Sequence, residues 1–79
     1  METMEDKYVK TQFGLTVRKL RLSKNISQEK FAEIVGLHRT YISEVERGIR
    51  NVTLINVVKI AEGLEVKTSE LFREMEREL

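Results

Sequence analysis

Four polar side chains between positions 39 and 44 have the types and the spacing needed to read hydrogen-bonding groups. They are Arg39, Thr40, Ser43 and Glu44, which fall on the exposed front of a helix. Arginine donates two hydrogen bonds to guanine O6 and N7, threonine offers a hydroxyl and a methyl group to thymine, and glutamate accepts from a cytosine amino group. Glu44 has the alternative of pairing with Arg39 or Arg47. This face therefore suits the edges of base pairs.

The residues around this face meet the steric requirements of two helices joined by a tight turn. Ala32 is small where two steeply crossing helices approach, and Gly36 stands where the turn needs a positive φ. Ile42 is placed to fill the angle between the helices, and the Ser27 hydroxyl can cap the first of them. Residues 27–46 therefore predict a helix-turn-helix, whose second helix can enter a DNA major groove.

Apolar residues recur at helical spacing through the rest of the chain, which has no proline and no strand-like alternation. The first of five predicted helices runs from about Lys10 to Lys24. The others begin at Ser27, near His38 or Arg39, at Thr53, and at Thr68 or Ser69. We expect residues 1–9 to form a mobile tail, residues past 77 to fray, and residues 10–79 to form one all-α domain. The apolar residues expected to face inward are Phe13, Val17, Leu20, Phe31, Ile34, Val35, Leu54, Val57, Val58 and Ala61.

Two residues of the first predicted helix have backbone consequences. Gly14 weakens a helix interior by about 1 kcal/mol relative to alanine, so a close helix contact is expected there. Asn25 follows the helix and tolerates the left-handed conformation of a helix end.

Charge is distributed unevenly along the 79 residues, although the net charge is only +1. Residues 7–59 carry eleven Lys or Arg against four Asp or Glu, whereas residues 60–79 carry three basic and six acidic residues, and residues 1–6 carry three acidic ones. A basic block around a helix-turn-helix is the electrostatic footprint of phosphate binding. The alternative is that these charges are simply solvated, because a charged third of the residues is ordinary for a small domain.

Other function classes find little support in the composition. The chain has no cysteine and a single histidine, which excludes thiolate metal sites and thiol nucleophiles and leaves His38 without further ligands at metal-site spacing. The pairs Glu29/Glu33 and Glu70/Glu74 sit at helical spacing on surface faces. No apolar run approaches the ~20 residues of a membrane span, and the acidic N-terminus is not a signal peptide. We expect a cytoplasmic protein with no enzymatic activity, cofactor, metal or small-molecule substrate.

Three motifs are spread along the chain: Phe13-Gly14-x-x-Val17-Arg18-x-Leu20-Arg21, Ser27-Gln28-x-x-Phe31-Ala32 and Tyr41-Ile42-Ser43-x-Val45-Glu46-Arg47-Gly48. Together they resemble the phage repressor and Cro type of helix-turn-helix protein, which implies a lambda-repressor-like fold of five helices. A narrower set is Arg39-Thr40-Tyr41-Ile42-Ser43-x-Val45-Glu46-Arg47-x-x-Arg50-Asn51-x-Thr53-Leu54. This set is similar to the controller proteins of restriction–modification systems.

The resemblance implies a role for several candidate residues. Arg21 and Glu46 would form a structural salt bridge. His38 departs from the usual Ser, Thr or Asp cap, so either its imidazole reaches a phosphate or Thr40 shares the capping. The implied base-reading residues are Arg39, Thr40, Ser43 and Glu44. The resemblance assigns Gln28 to a phosphate. Beyond the resemblance, the polar side chains expected to bind phosphate around the predicted recognition helix are His38, Tyr41, Arg47, Arg50 and Asn51.

A second surface is expected to hold two copies of the chain together. The fourth and fifth helices supply more apolar surface than a small monomer needs, and a symmetric dimer suits an inverted-repeat site in double-stranded DNA. The resemblance then implies a regulator of its own gene and of an endonuclease gene, with RNA polymerase as a further partner. A phage-type or general repressor is the alternative, and an antitoxin-like protein-interaction module is the alternative of another class. The expected dimer residues are Val52, Ile55, Leu71, Phe72 and Met75.

Overall fold

Five α-helices build the protein in the computed structural model, which describes residues 2–77 and places no strand among them. None of these helices combines the length and apolarity that crossing a bilayer requires. The all-α prediction and the number of helices are therefore correct. The helices are α1 (Met4–Ser23), α2 (Gln28–Val35), α3 (Arg39–Glu46), α4 (Leu54–Gly63) and α5 (Thr68–Arg77).

The predicted boundary at residue 10 is wrong, because α1 begins six residues earlier, at Met4. Thr3 caps this helix: its Oγ1 accepts a hydrogen bond from the Asp6 backbone N–H at 3.0 Å. The Asp6 carboxylate in turn accepts from the Thr3 N–H at 3.1 Å. This reciprocal pair satisfies two of the backbone N–H groups that a helix start leaves without partners. Residues 78 and 79 of the expected C-terminal tail lie outside the described residues.

Side-chain caps and left-handed residues set the other helix ends. Ser27 accepts from the Lys30 N–H and Thr53 from the Asn56 N–H. Gly36 ends α2 with φ 71°, as its position in the motif predicts. Asn25 has φ 60° beyond α1, as expected, and Glu65 has φ 59° beyond α4.

One ion pair links the ends of α1 and α4. The ammonium group of Lys24 donates a hydrogen bond of 2.8 Å to Glu65. This hydrogen bond, together with the positive charge of Lys24, lowers the pKa of the Glu65 carboxyl.

The core is apolar and draws on every helix. Ala32 is buried and Ile42 is completely buried, as the helix-turn-helix pattern predicts. Three predicted core residues are instead exposed: Ile34, Leu54 and Val58. Each lies beside a better-placed apolar residue on a helix of eight or ten residues, which buries only one narrow stripe. The core residues are Phe13, Val17, Phe31, Ala32, Val35, Ile42, Val45, Val57, Ile60, Ala61, Leu64, Leu71 and Met75.

Two helices approach each other closely where α1 crosses the end of α3. A Cβ atom at Gly14 would collide with the backbone carbonyl oxygens of Val45 and Glu46. Only a residue without a side chain lets the two backbones come this close, so the contact expected at Gly14 is present. It fixes the C-terminal end of α3 against the longest helix of the molecule.

Candidate nucleic-acid interface

The exposed face of α3 begins at a histidine cap. His38 has φ −70° and ψ 142°, the extended conformation of an N-cap residue. Its Nδ1 accepts a hydrogen bond from the Thr40 backbone N–H at 3.2 Å. The imidazole therefore performs the capping that the sequence left open, and α3 starts at Arg39.

Arg39 and Thr40 follow the cap and are both exposed. Within residues 2–77, the guanidinium of Arg39 has neither an ion pair nor a hydrogen bond. An arginine without internal partners keeps all of its N–H donors available for a ligand. The two side chains thus present donors, an acceptor and a methyl group at the start of the helix.

Ser43 and Glu44 lie one turn further along α3 and are half-buried. Glu44 does not pair with Arg39 or Arg47, the two partners expected from the sequence. Its carboxylate accepts a hydrogen bond of 2.8 Å from Nε of Arg50, which lies in the loop between α3 and α4. Of the four predicted base-reading residues, Glu44 is therefore the one that already has a charged partner.

Arg50 also connects this loop to Tyr41 and α4. Its guanidinium lies over the Tyr41 ring, 5.0 Å from the ring centre. The Tyr41 hydroxyl accepts a hydrogen bond of 3.0 Å from the Asn56 side chain. The four residues Glu44, Arg50, Tyr41 and Asn56 form a chain of contacts that holds the loop beside the middle of α3. Asn56 was missed from the sequence, because nothing in its spacing identifies a partner 15 residues away.

The C-terminal end of α3 is anchored by a buried ion pair, as the family resemblance implies. Arg21 and Glu46 are each 6% exposed. Two hydrogen bonds join them, from Arg21 Nε at 2.7 Å and Nη2 at 3.0 Å, and Arg21 Nη1 donates to the Ile26 carbonyl at 2.8 Å. Gln28 donates to the same Glu46 carboxylate at 3.0 Å. One N–H of the Gln28 amide, which the resemblance assigns to phosphate binding, is therefore already engaged by Glu46.

The remaining polar candidates lie around the end of α3. Arg47 and Asn51 are exposed, and neither side chain has an internal partner among residues 2–77. The same described residues contain no group of three or more His, Asp or Glu side chains arranged to hold a metal ion.

Comparison with known proteins assigns a family to this arrangement. A family model described as helix-turn-helix matches residues 17–71. Control protein C.MunI from Mycoplasma sp is 48% identical over 71 residues, which cover 89% of this chain and 96% of that protein. The chain belongs to the helix-turn-helix family, among its control proteins.

Two crystal structures of restriction–modification controller proteins have the same fold. C.AhdI from Aeromonas hydrophila has a TM-score of 0.78 and 46% identity, covering 80% of this chain and 96% of C.AhdI. C.Esp1396I, solved as a tetramer in complex with its natural 35 base-pair operator, has a TM-score of 0.83 and 36% identity. That match covers 89% of this chain and 92% of C.Esp1396I. The family resemblance expected from the sequence motifs is therefore confirmed.

The expected dimer residues lie in three different places. Leu71 is completely buried in the core, so its assignment to an interface is wrong: no part of its side chain remains to meet a second copy. Ile55 is 69% exposed on α4, beside Leu54, which is 75% exposed. Val52, Phe72 and Met75 border an open groove of about 310 Å³, which Val9 and Leu54 also line. Leu54 and Val9 were missed, although two successive apolar residues at the start of α4 signal that one of them faces outward.

Proposed function

We propose that the protein is a sequence-specific DNA-binding regulator of transcription, which controls a restriction–modification system as a dimer on inverted-repeat operators. The observation that carries this proposal is the arrangement of α3. Its C-terminal end is held by the buried Arg21–Glu46 pair, while Arg39 at its start is exposed and has no internal partner among residues 2–77. A rigid helix with a free polar face is what major-groove reading requires.

Arg39, Thr40, Ser43 and Glu44 are the residues that we assign to base reading. Arg39 is best suited to guanine, because a free guanidinium can place two hydrogen bonds on O6 and N7. The hydroxyl and methyl groups of Thr40 suit thymine or a neighbouring phosphate. Glu44 has to share its carboxylate between Arg50 and a cytosine amino group, which makes its contribution the weakest of the four.

Phosphate binding is assigned to residues on both sides of this face. Arg47 and Asn51 are exposed, and Arg50 is held against Tyr41 at a site where it can turn from Glu44 to a phosphate. His38 can contribute its outward Nε2–H. Gln28 retains an indirect role, because its amide orients Glu46 while the α2 N-terminus remains favourable for an anion. Each phosphate contact adds affinity without sequence preference.

Dimerisation is assigned to the groove and to the exposed apolar side chains beside it. Leu54, Ile55 and Val58 form an uncovered apolar strip on α4. The strip is continuous with the groove through Leu54, which belongs to both. Contiguous exposed apolar surface of this kind marks a protein interface. A second copy related by a two-fold axis would cover it and set the spacing of two α3 helices.

Regulation would follow from occupancy of the operator. A bound dimer either blocks RNA polymerase or contacts it, depending on the position of the operator relative to the promoter. In this role the protein acts by binding alone, with no catalytic step. We expect it to work in the bacterial cytoplasm, where the chromosome lies. The operator complex of C.Esp1396I supports a DNA partner for this chain.

The proposal is tested by selecting bound duplexes from a random DNA pool at near-physiological salt and sequencing them. We expect enrichment of an inverted repeat with half-sites about one helical turn apart. The test variant is Arg39→Ala, which removes an exposed arginine from α3. The matched control is Arg73→Ala, which removes an exposed arginine from α5. Only Arg39→Ala should change the enriched sequence. A pool without enrichment, and with salt-sensitive background binding alone, would contradict the proposal and point to a protein partner.

The dimer assignment has its own test in sedimentation analysis. Ile55→Glu should shift the protein from dimer to monomer, since it places a charge in the apolar strip. Leu15→Glu is the control, because Leu15 is 47% exposed on α1 and lies outside the strip. If both variants remain dimeric with unchanged affinity, the interface lies elsewhere.

A further inference from the structure

We propose that His38 is a positioning residue that acts in its neutral form, so that its protonation weakens sequence-specific DNA binding. The proposal rests on the function proposed above. It extends that function to a regulatory property, because it makes base reading by Arg39 and Thr40 sensitive to pH. His38 precedes both residues directly and caps the helix that carries them.

The hydrogen bond at the cap fixes the tautomer of the imidazole. Nδ1 accepts from the Thr40 N–H at 3.2 Å, so Nδ1 has no proton of its own in this conformation. In the neutral ring the single proton is then on Nε2. A neutral His38 can therefore cap α3 with Nδ1 and still offer Nε2–H to a phosphate.

Protonation would remove the cap. Both ring nitrogens become donors in the cation, and an Nδ1–H opposes the Thr40 N–H instead of accepting from it. The positive ring would also face the positive end of the helix dipole. The first turn of α3 would lose its side-chain cap, and the turn that carries Arg39 and Thr40 would fray.

The charged groups around this end of α3 leave the imidazole without a stabilising carboxylate. On α3 itself the neighbour is Arg39. The helices packed against α3 are α1, whose Arg21 meets the opposite end of α3 at Glu46, and α2, which carries Glu29, Lys30 and Glu33. Lys30 and Glu33 pair with each other, and the charged residues of α4 are Lys59 and Glu62. Within residues 2–77, no carboxylate lies within ion-pair distance of His38.

The expected sign is opposite to that of a histidine that binds phosphate as a cation. Such a histidine strengthens DNA binding as the pH falls, because protonation adds a charge opposite the backbone. Protonation of a capping histidine instead weakens DNA binding as the pH falls. His38 is the only histidine of the chain, so no second imidazole contributes to the comparison.

The test compares the wild type with His38→Asn, since asparagine is a good N-cap that does not titrate. The dissociation constant is measured at pH 8 and 5.5 for the selected operator and for a scrambled duplex. The pH ratio is compared within each protein. We expect the wild type to lose about fivefold in affinity for the operator at pH 5.5. The ratio for His38→Asn should stay near one.

A measurement without DNA separates this proposal from the proposed function. The amide resonance of Thr40 is followed by NMR across the same pH range in both proteins. Loss of its protection in the wild type alone supports the cap mechanism, even if no operator is found. An unchanged Thr40 amide, or operator affinity that rises at pH 5.5, would overturn the proposal. Absence of specific binding by both proteins at pH 8 would overturn the proposed function instead.

Discussion

The two ends of α3 are held in opposite ways. At the C-terminal end, Glu46 is buried and accepts three hydrogen bonds from Arg21 and Gln28, while Gly14 lets the α1 backbone touch the last turn. At the N-terminal end, the His38 imidazole supplies a single capping hydrogen bond, and the next two side chains are exposed. A helix of eight residues is only about 12 Å long, so the contrast between these ends is abrupt.

The two ends of α3 therefore have different roles: the anchored end positions the helix, and the free end carries the side chains that contact bases. An anchored end sets the direction of the helix and needs no contact with a ligand. A free end carries side chains without internal partners, which lose nothing inside the protein when they bind. Changes at the anchored end should therefore reduce stability first, and changes at the free end should reduce binding at constant stability.

The largest effect is expected from Glu46→Ala. Its removal leaves the buried Arg21 guanidinium without a charged partner, with only its hydrogen bond to the Ile26 carbonyl. The loss of one member of a buried ion pair costs about 3–5 kcal/mol. The free energy of unfolding is measured by urea denaturation. Glu44→Ala is the matched control, since Glu44 pairs with an arginine that is 49% exposed and should cost less than about 1 kcal/mol. Similar losses for both variants would mean that the buried pair is no anchor.

A second change at the anchored end is Gly14→Ala. In an ordinary helix interior this substitution stabilises by up to about 1 kcal/mol. Here the added Cβ meets the carbonyl oxygens of Val45 and Glu46, which are backbone atoms, so we expect a loss of about 2–3 kcal/mol. Arg18→Ala, an exposed change on the same helix, should leave the urea midpoint unchanged. A stabilised Gly14→Ala variant would show that α1 and α3 can move apart freely.

The free end is tested by Arg39→Ala. We expect a loss of about 1–3 kcal/mol in operator affinity and a relaxed preference at one base position. The urea midpoint should stay unchanged, because Arg39 has no internal partner within the described residues. Unchanged affinity for the operator would show that α3 does not meet the groove in this orientation.

The smallest effect is expected from Glu44→Gln, in the middle of the helix. It releases Arg50 from its carboxylate, so binding to any duplex should strengthen by less than about 1 kcal/mol and depend more steeply on salt. The double variant with Arg50→Gln is the control and should restore the original salt dependence. If Glu44→Gln instead lowers operator affinity alone, its carboxylate reads a base.

Local signals in the sequence predict most of this fold. Ser27 and Thr53 are caps, Gly36 and Asn25 are left-handed, and Gly14 marks a close contact, because each of these properties depends on one residue and its neighbours. The start of α1 was missed because residues 4–9 carry little apolar periodicity. The only signal there is Thr3 followed three residues later by Asp6, a variant of the usual capping box.

The candidate site was less predictable where long side chains choose among partners. The Arg21–Glu46 pair came from the family resemblance. The partners of Gln28 and Glu44 depend instead on which helix ends meet, and on a loop that returns Arg50 to α3. The sequence also could not predict which apolar side chains of α4 are exposed. A helix of ten residues has too few turns to show whether Leu54 or Val57 is the core position.

Glu65, just after the end of α4, has a left-handed φ of 59° that glycine would adopt without strain. Such a residue costs about 1–2 kcal/mol, and its exposed pair with Lys24 returns little of that. A substitution at Glu65, outside α3, could therefore stabilise the domain. A domain stabilised at this position could tolerate more destabilising substitutions in α3, and could therefore evolve to bind a wider range of operator sequences.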